Sequence, residues 1–142
     1  MKLVDVNILL YAVNEDDPLH AITLAWWNEA LNGEEPIGLA WSVLHGYLRL
    51  ATHPRVFQKP RTPQQAIGYV SEWLAHPNTR VVVESENHWE ILQELVLEVG
   101  TMGNLVTDAH LAAIAMSRAM TLVSFDNDFA RFRQLRWENP AA

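Results

Sequence analysis

Residues 2–13 read KLVDVNILLYAV, and the single acid inside that apolar run decides how the chain folds. Leu3 and Val4 carry a short strand signal, Asp5 interrupts it, and a second apolar run continues until Asn-Glu-Asp-Asp-Pro at 14–18 ends it. Asp5 is thereby placed at the carboxyl end of a strand.

Strand and helix signals alternate beyond that point. His20 to Leu31 has the mixed spacing of an amphipathic helix and stops at Asn-Gly-Glu-Glu-Pro, and Ile37 to Leu39 reads as a strand. Ser42 is a plausible N-cap for a helix reaching Thr52, with Trp41, Leu44, Leu48 and Ala51 as its expected buried stripe. Thr62, Pro63 and Gln65 combine a cap, a first-turn proline and a capping-box glutamine, which predicts a helix start. Arg80 to Val83 is a β-branched run, and the periodic segment after it ends at Gly100. Thr107 then reads as an N-cap, with Asp108 in the first turn of an alanine-rich helix, where the dipole favours a carboxylate. A strand from Thr121 to Ser124 follows. This alternation predicts an α/β domain with a mostly parallel sheet, whose sites lie at the strand carboxyl ends.

Composition narrows the class. A chain of 142 residues, 49% hydrophobic and 19% charged, is expected to form one domain over 1–142. The absence of cysteine excludes disulfides, thiolate metal sites and thiol nucleophiles. The amino terminus reaches Asp5 before any signal-like apolar core develops, and no run approaches a membrane span, so a cytoplasmic protein without a membrane partner is expected. A net charge of -7 argues against coating duplex nucleic acid by charge alone, yet leaves room for a local basic rim.

An isolated Asp after a strand is usually a turn residue or a cap. Asp5, Asp108 and Asp126, each at a strand end or helix start, could instead converge on one point of a small parallel sheet. Their mutual repulsion would favour a cation, and oxygen-only donors suit magnesium or manganese rather than zinc. Such an ion can activate water and hold a phosphate oxygen, the chemistry of phosphodiester hydrolysis. Phosphate-loop, dinucleotide, serine-hydrolase and zinc-protease motifs are all missing, and DNDFARF at 126–132 lacks the glycine and closing glutamate of a calcium loop. The six histidines show no ligand spacing; His45 and His110 stand out only through their acidic surroundings. The tryptophans, Trp41 and Trp89 among them, are expected in the core or at a dimer surface rather than stacked on RNA bases. Arg49, Arg55, Lys59, Arg61, Arg131 and Arg133 could contact phosphate, with Arg49 the preferred residue and Arg55 the second. An aspartyl-phosphate phosphatase would need Asp-x-Asp after the first strand, where this chain reads Asp5-Val6-Asn7.

In combination and in order, LVDVNILLYA, WSVLHGYLRLATHPRVF, GNLVTDAHLAAIA, LVSFDNDFARF and the terminal LRWENP resemble the motifs of PIN-domain proteins, in particular VapC-type ribonuclease toxins. The resemblance spans essentially the whole chain. It implies a three-layer α/β/α sandwich, magnesium-dependent endoribonuclease activity with manganese as a possible substitute, a homodimer, and a cognate VapB-like antitoxin of a toxin-antitoxin system. It assigns Asp5, Asp108 and Asp126 as catalytic and metal-binding acids. Asn7, Thr107, Ser124 and Asp128 become supporting residues, Asp128 either backing a ligand or capping the turn that follows it. One departure is evident: the family usually carries glutamate where this chain has Gly46. The alternative implied by that loss is a catalytically weakened PIN-like module that binds RNA or an antitoxin without cleavage.

Overall fold

Leu3 and Val4 are both fully buried although successive strand residues face opposite sides of a sheet, so the sheet that holds them is covered on both faces. In the computed structural model, which describes residues 1–100, 103 and 105–142, they belong to β1 (Lys2–Val4). The chain continues through α1 (Val6–Val13), α2 (His20–Asn32), β2 (Ile37–Ala40), α3 (Trp41–Ala51), α4 (Pro63–Ala75) and β3 (Thr79–Val82). It then forms α5 (His88–Val99), α6 (Leu105–Ser117), β4 (Thr121–Val123), a 3-10 turn (Asn127–Arg131) and β5 (Trp137–Glu138).

The five strands are ordered β3-β2-β1-β4-β5, and every pairing is parallel. Helices α1 to α4 pack among themselves and α5 pairs with α6, giving helical layers around the sheet and the expected α/β sandwich. From β1 the chain builds outward to β2 and β3, then crosses to the other side of β1 to add β4 and β5. The order reverses between β1 and β4, and the crevice at such a reversal is where open parallel sheets bind ligands.

Local chemistry explains most element boundaries. Thr62 and Gln65 form the reciprocal capping box that their spacing predicts, with Pro63 inside the first turn. Gly100 ends α5 at φ 87°, a conformation glycine adopts without a Cβ penalty. Arg61 fastens the segment after α3 to α1: its Nη2 donates to the Val13 carbonyl at 2.7 Å and its guanidinium lies over the Phe57 ring.

Three expectations need correction. Helix α3 starts at Trp41 with Ala40 as an N-cap that makes no side-chain bond, so Ser42 is helical rather than capping. Its buried face is Val43, Leu44, Tyr47 and Ala51; Leu48 is half-buried, and Trp41 is 47% exposed because it follows directly on the last residue of β2, past the end of the sheet. Helix α6 begins two residues before Thr107, which is therefore inside the helix and not its cap. Strand β5 carries too few residues to show any period, and its pairing with β4 is a tertiary fact.

Among the described residues no helix is long and apolar enough to cross a membrane. Gly38 in β2 shows how closely the sheet is packed: a Cβ there would come within 2.5 Å of Met120 Cε and 2.7 Å of Val82 Cγ2. Gly38→Ala is expected to lower the unfolding free energy by about 1–3 kcal/mol in chemical denaturation. Unchanged stability would mean that Val82 and Met120 can yield at no cost.

Candidate active site

The reversal point between β1 and β4 is where the acids gather. Asp5 leaves β1 in extended conformation, caps α1 by accepting from Val6 N at 2.7 Å, and donates its own backbone N–H to the Val123 carbonyl at 2.9 Å. Its Oδ2 accepts from Ser124 Oγ at 2.7 Å and from Asn7 Nδ2 at 3.3 Å. The same Asn7 amide nitrogen donates to Ser124 Oγ at 3.0 Å, and Asn7 Oδ1 accepts from Phe125 N at 3.3 Å. Ser124 is fully buried, and its oxygen also accepts from Asp126 N at 3.0 Å. One hydroxyl therefore joins the ends of two strands that lie far apart in the chain.

Asp126 and Asp128 divide their work differently from expectation. The cap of the 3-10 turn is Asp126, whose Oδ1 accepts from Asp128 N at 2.9 Å. Asp128 is the side chain left free to point elsewhere, and it forms a partly exposed pair with Arg131 at 3.4 Å. Asp108, in the first turn of α6, completes the group: Asp108, Asp126 and Asp128 each present one carboxylate oxygen, all within 4.8 Å of one another. Asp5 is outside that set of three, yet close enough that its charge raises the pKa of Asp108. The donor set is oxygen only, without histidine or cysteine, which fits a hard divalent cation.

The electrostatics are those of crowded acids. Burial pushes Asp108 up to about 7, and the charges of Asp5, Asp126 and Asp128 add to the shift. Burial also raises Asp5, Ser124 and Val6 oppose it by hydrogen bonding to the carboxylate, and the charge of Asp126 reinforces it.

The remaining sequence-predicted residues lie further out. Thr107 is exposed on α6. Arg49, in the last turn of α3, and Arg55 beyond it are exposed and form no ion pair among the described residues. Trp41 and Trp89 are 47% and 64% exposed, which removes both from the core. Sequence reasoning placed Asp128 as a support for a ligand or as the cap of the following turn; the cap is Asp126, and Asp128 presents a carboxylate oxygen within 4.8 Å of those of Asp108 and Asp126. Its signal was the two-residue spacing after a strand, where a tight turn brings both carboxylates to one side. Glu84, His110 and His88 form a separate chain of contacts, at 3.2 Å and 3.0 Å, across β3's exit, α6 and the start of α5.

The raised pKa of Asp108 makes stability depend on pH. Between its ordinary value of 3.8 and about 7 the folded chain holds a proton that the unfolded chain has released, so stability falls as pH rises through that window. Asp108→Asn removes the penalty. With chelator present, its melting temperature is expected to exceed the parent's at alkaline pH, and the difference to vanish as pH falls toward 3.8. A constant difference at all pH values would mean that Asp108 titrates normally.

Comparison with known proteins identifies the family and the fold. A PIN domain family model matches residues 2–135. Ribonuclease VapC37 of Mycobacterium tuberculosis is 44% identical over 142 residues, covering 100% of this chain and 99% of that protein. Ribonuclease VapC33 of the same organism is 41% identical over 140 residues, covering 99% of this chain and 98% of that protein. The fold is shared with VapBC2 from Rickettsia felis bound to a DNA fragment from their promoter, at a TM-score of 0.70 and 22% identity over 97% of each chain. It is shared equally with Mycobacterium tuberculosis VapC20, a sarcin-ricin loop cleaving toxin, at a TM-score of 0.71 and 17% identity over 96% of this chain and 99% of that one. The chain belongs to the PIN-domain family, in its VapC branch.

Proposed function

We propose that this chain is a magnesium-dependent endoribonuclease, with manganese able to substitute, and the toxin of a VapBC-type pair acting in the cytoplasm. The observation that carries the reading is the convergence of Asp108, Asp126 and Asp128, with Asp5 beside them, at the point where the strand order reverses. A relative at 44% identity over the full chain and named a ribonuclease supports RNA as the substrate. A structural neighbour that is a VapBC complex supports a VapB-like antitoxin as partner. We further propose a single PIN domain that assembles as a homodimer.

Roles follow from position. Asp108, Asp126 and Asp128 would hold the cation, together with Asp5. Ser124 and Asn7 fix the Asp5 carboxylate through the bonds described above, and the Ser124 bond opposes the rise in its pKa that burial causes. When bound, a hard divalent cation lowers the pKa of water and offsets the charge that develops on phosphate oxygens. Arg49 and Arg55 are free to hold the flanking phosphates of an RNA strand.

Gly46 is the one observation favouring the second reading, a PIN-like module that binds without cutting. A Cβ at this position would meet Val6 Cγ2 at 3.4 Å and Val6 Cβ at 3.9 Å, ordinary contacts beside the residue that follows Asp5. The position therefore accepts a side chain, and the missing carboxylate reflects the residue present rather than a lack of room.

Sequencing the ends left on a structured RNA pool decides between the two readings. The parent should make discrete cuts that disappear with chelator and with Asp5→Asn, and Ser124→Ala should cost about 10–100-fold in rate, the usual loss when a ligand's support is removed. A folded Asp5→Asn variant that cuts normally refutes the assignment. Gly46→Glu is expected to reduce the magnesium needed for half-maximal cleavage. If only Gly46→Glu cuts and the parent does not, the natural chain is the binding module.

A further inference from the structure

Charge along this chain is distributed unevenly. Between Pro36 and Ser71 there is no acidic residue at all, although the chain holds 17, while four of its ten basic residues, Arg49, Arg55, Lys59 and Arg61, fall inside that stretch. It comprises β2, α3 and the segment leading into α4. Arg61 is used internally, bonded to Val13 and stacked on Phe57. Arg49, Arg55 and Lys59 are exposed and unpaired among the described residues. A protein of net charge -7 thus carries a strip of sequence with cations and no acid of its own.

Trp41 stands at the head of that strip. The parallel register pairs Lys2 with Ile37 and Leu3 with Gly38, and continuing it sets Asp5 opposite Ala40, the residue before Trp41. Neighbouring strands run about 4.8 Å apart, so the backbone that begins α3 at Trp41 leaves the sheet one residue beyond the position opposite the acid that caps α1. From there the exposed residues of α3 are Trp41, Ser42, His45 and Arg49, while Val43, Leu44, Tyr47 and Ala51 turn inward. Positions 41, 45 and 49 follow one ridge of the helix, each step rising about 6 Å along its axis. His45 lies against Trp41, ring centres 6.2 Å apart and planes tilted by 36°. The indole is 47% exposed, and it is the one large apolar side chain of α3 in that condition.

Resting on the ribonuclease reading above, we infer that Trp41, with His45 behind it, is a stacking platform for an unpaired RNA base next to the acidic centre, and that Arg49, Arg55 and Lys59 carry the phosphates leading away from it. An aromatic face at the head of a cationic track is the arrangement that binds single strands, because any base has a π-face and a strand has a repeating charge. Bases inside a duplex already stack on their neighbours and cannot use such a face, so the platform serves only a base that the strand leaves unpaired. The outer face of α3 offers one indole among polar and charged side chains, without the contiguous apolar patch of an obligate protein interface.

The test measures fluorescence anisotropy in chelator, so that no RNA is consumed, with a short mixed-sequence single-stranded RNA and an oligomer of equal length that lacks its bases. Trp41→Ala should weaken binding of the RNA by roughly 5- to 100-fold, the range for loss of one base stack, and leave the base-free oligomer unaffected. Trp41→Phe should restore most of the loss. Light scattering on each variant reports assembly. The inference is overturned if Trp41→Ala binds RNA as the parent does, if it loses both oligomers equally, or if it changes the oligomeric state while RNA affinity stays constant. A parent that binds and cuts RNA with Trp41→Ala unaltered leaves the ribonuclease reading standing and removes only the platform. A parent that neither binds nor cuts any RNA removes both.

Discussion

The hydrogen bond from Ser124 Oγ to Asp5 Oδ2, 2.7 Å long, closes the joint on which the rest of the molecule depends. It ties the exit of β1 to the exit of β4 across most of the chain's length, at the place where the sheet reverses its order of assembly. Asp5 serves this joint three times: its backbone N–H extends the ladder to Val123, its Oδ1 starts α1, and its Oδ2 receives the serine. A charged acceptor makes such bonds stronger than neutral ones, and here they lower the pKa that burial raises. The fold and the site are thereby built from the same atoms.

Gathering acids at that joint opposes folding. Asp108 feels burial together with three like charges, and its pKa of about 7 expresses the strain. Structures hold such groups together only where the surrounding packing is strong enough, and here β1, β2 and β4 supply a core with Leu3, Val4, Leu39, Leu122 and Val123 all fully buried. The same crowding is what gives the cluster affinity for a hard cation, since a bound ion relieves the repulsion that folding imposes.

Arg49 in the last turn of α3, with Arg55 and Lys59 beyond it, bears on an objection raised by the overall charge. A net charge of -7 repels a polyanion at long range, but screening confines that repulsion to about 8 Å at physiological ionic strength. The stretch from Pro36 to Ser71 contributes cations and no acid of its own. Acids thus gather at the carboxyl ends of β1 and β4, while the cations lie at the end of α3 and on the segment after it.

Local features were legible in the residues themselves. The capping box at Thr62, the glycine stop at position 100 and the acid after the first strand each depend on groups a few residues apart, and each stands in the structure where its chemistry puts it. The order of strand and helix signals carried the α/β class, and Asp5, Asp108 and Asp126 stood out because they fall at element ends. What the residues could not express is how separate segments meet. Ser42 and Thr107 are good capping residues, yet each lies inside its helix, because the first turns of α3 and α6 are placed by the strands and packing around them. Trp41 looks like core on any apolar scale, and only the end of β2 leaves it outside. Asp128 gained its place beside Asp108 through the turn that Asp126 caps, and β5 exists only because β4 offers it an edge. The sequence by itself determined the elements, since hydrogen bonding and side-chain preference act over a few residues. The tertiary structure decided which carboxylates share one point and which aromatic faces water, since those are set by strand order and by the limits of the sheet.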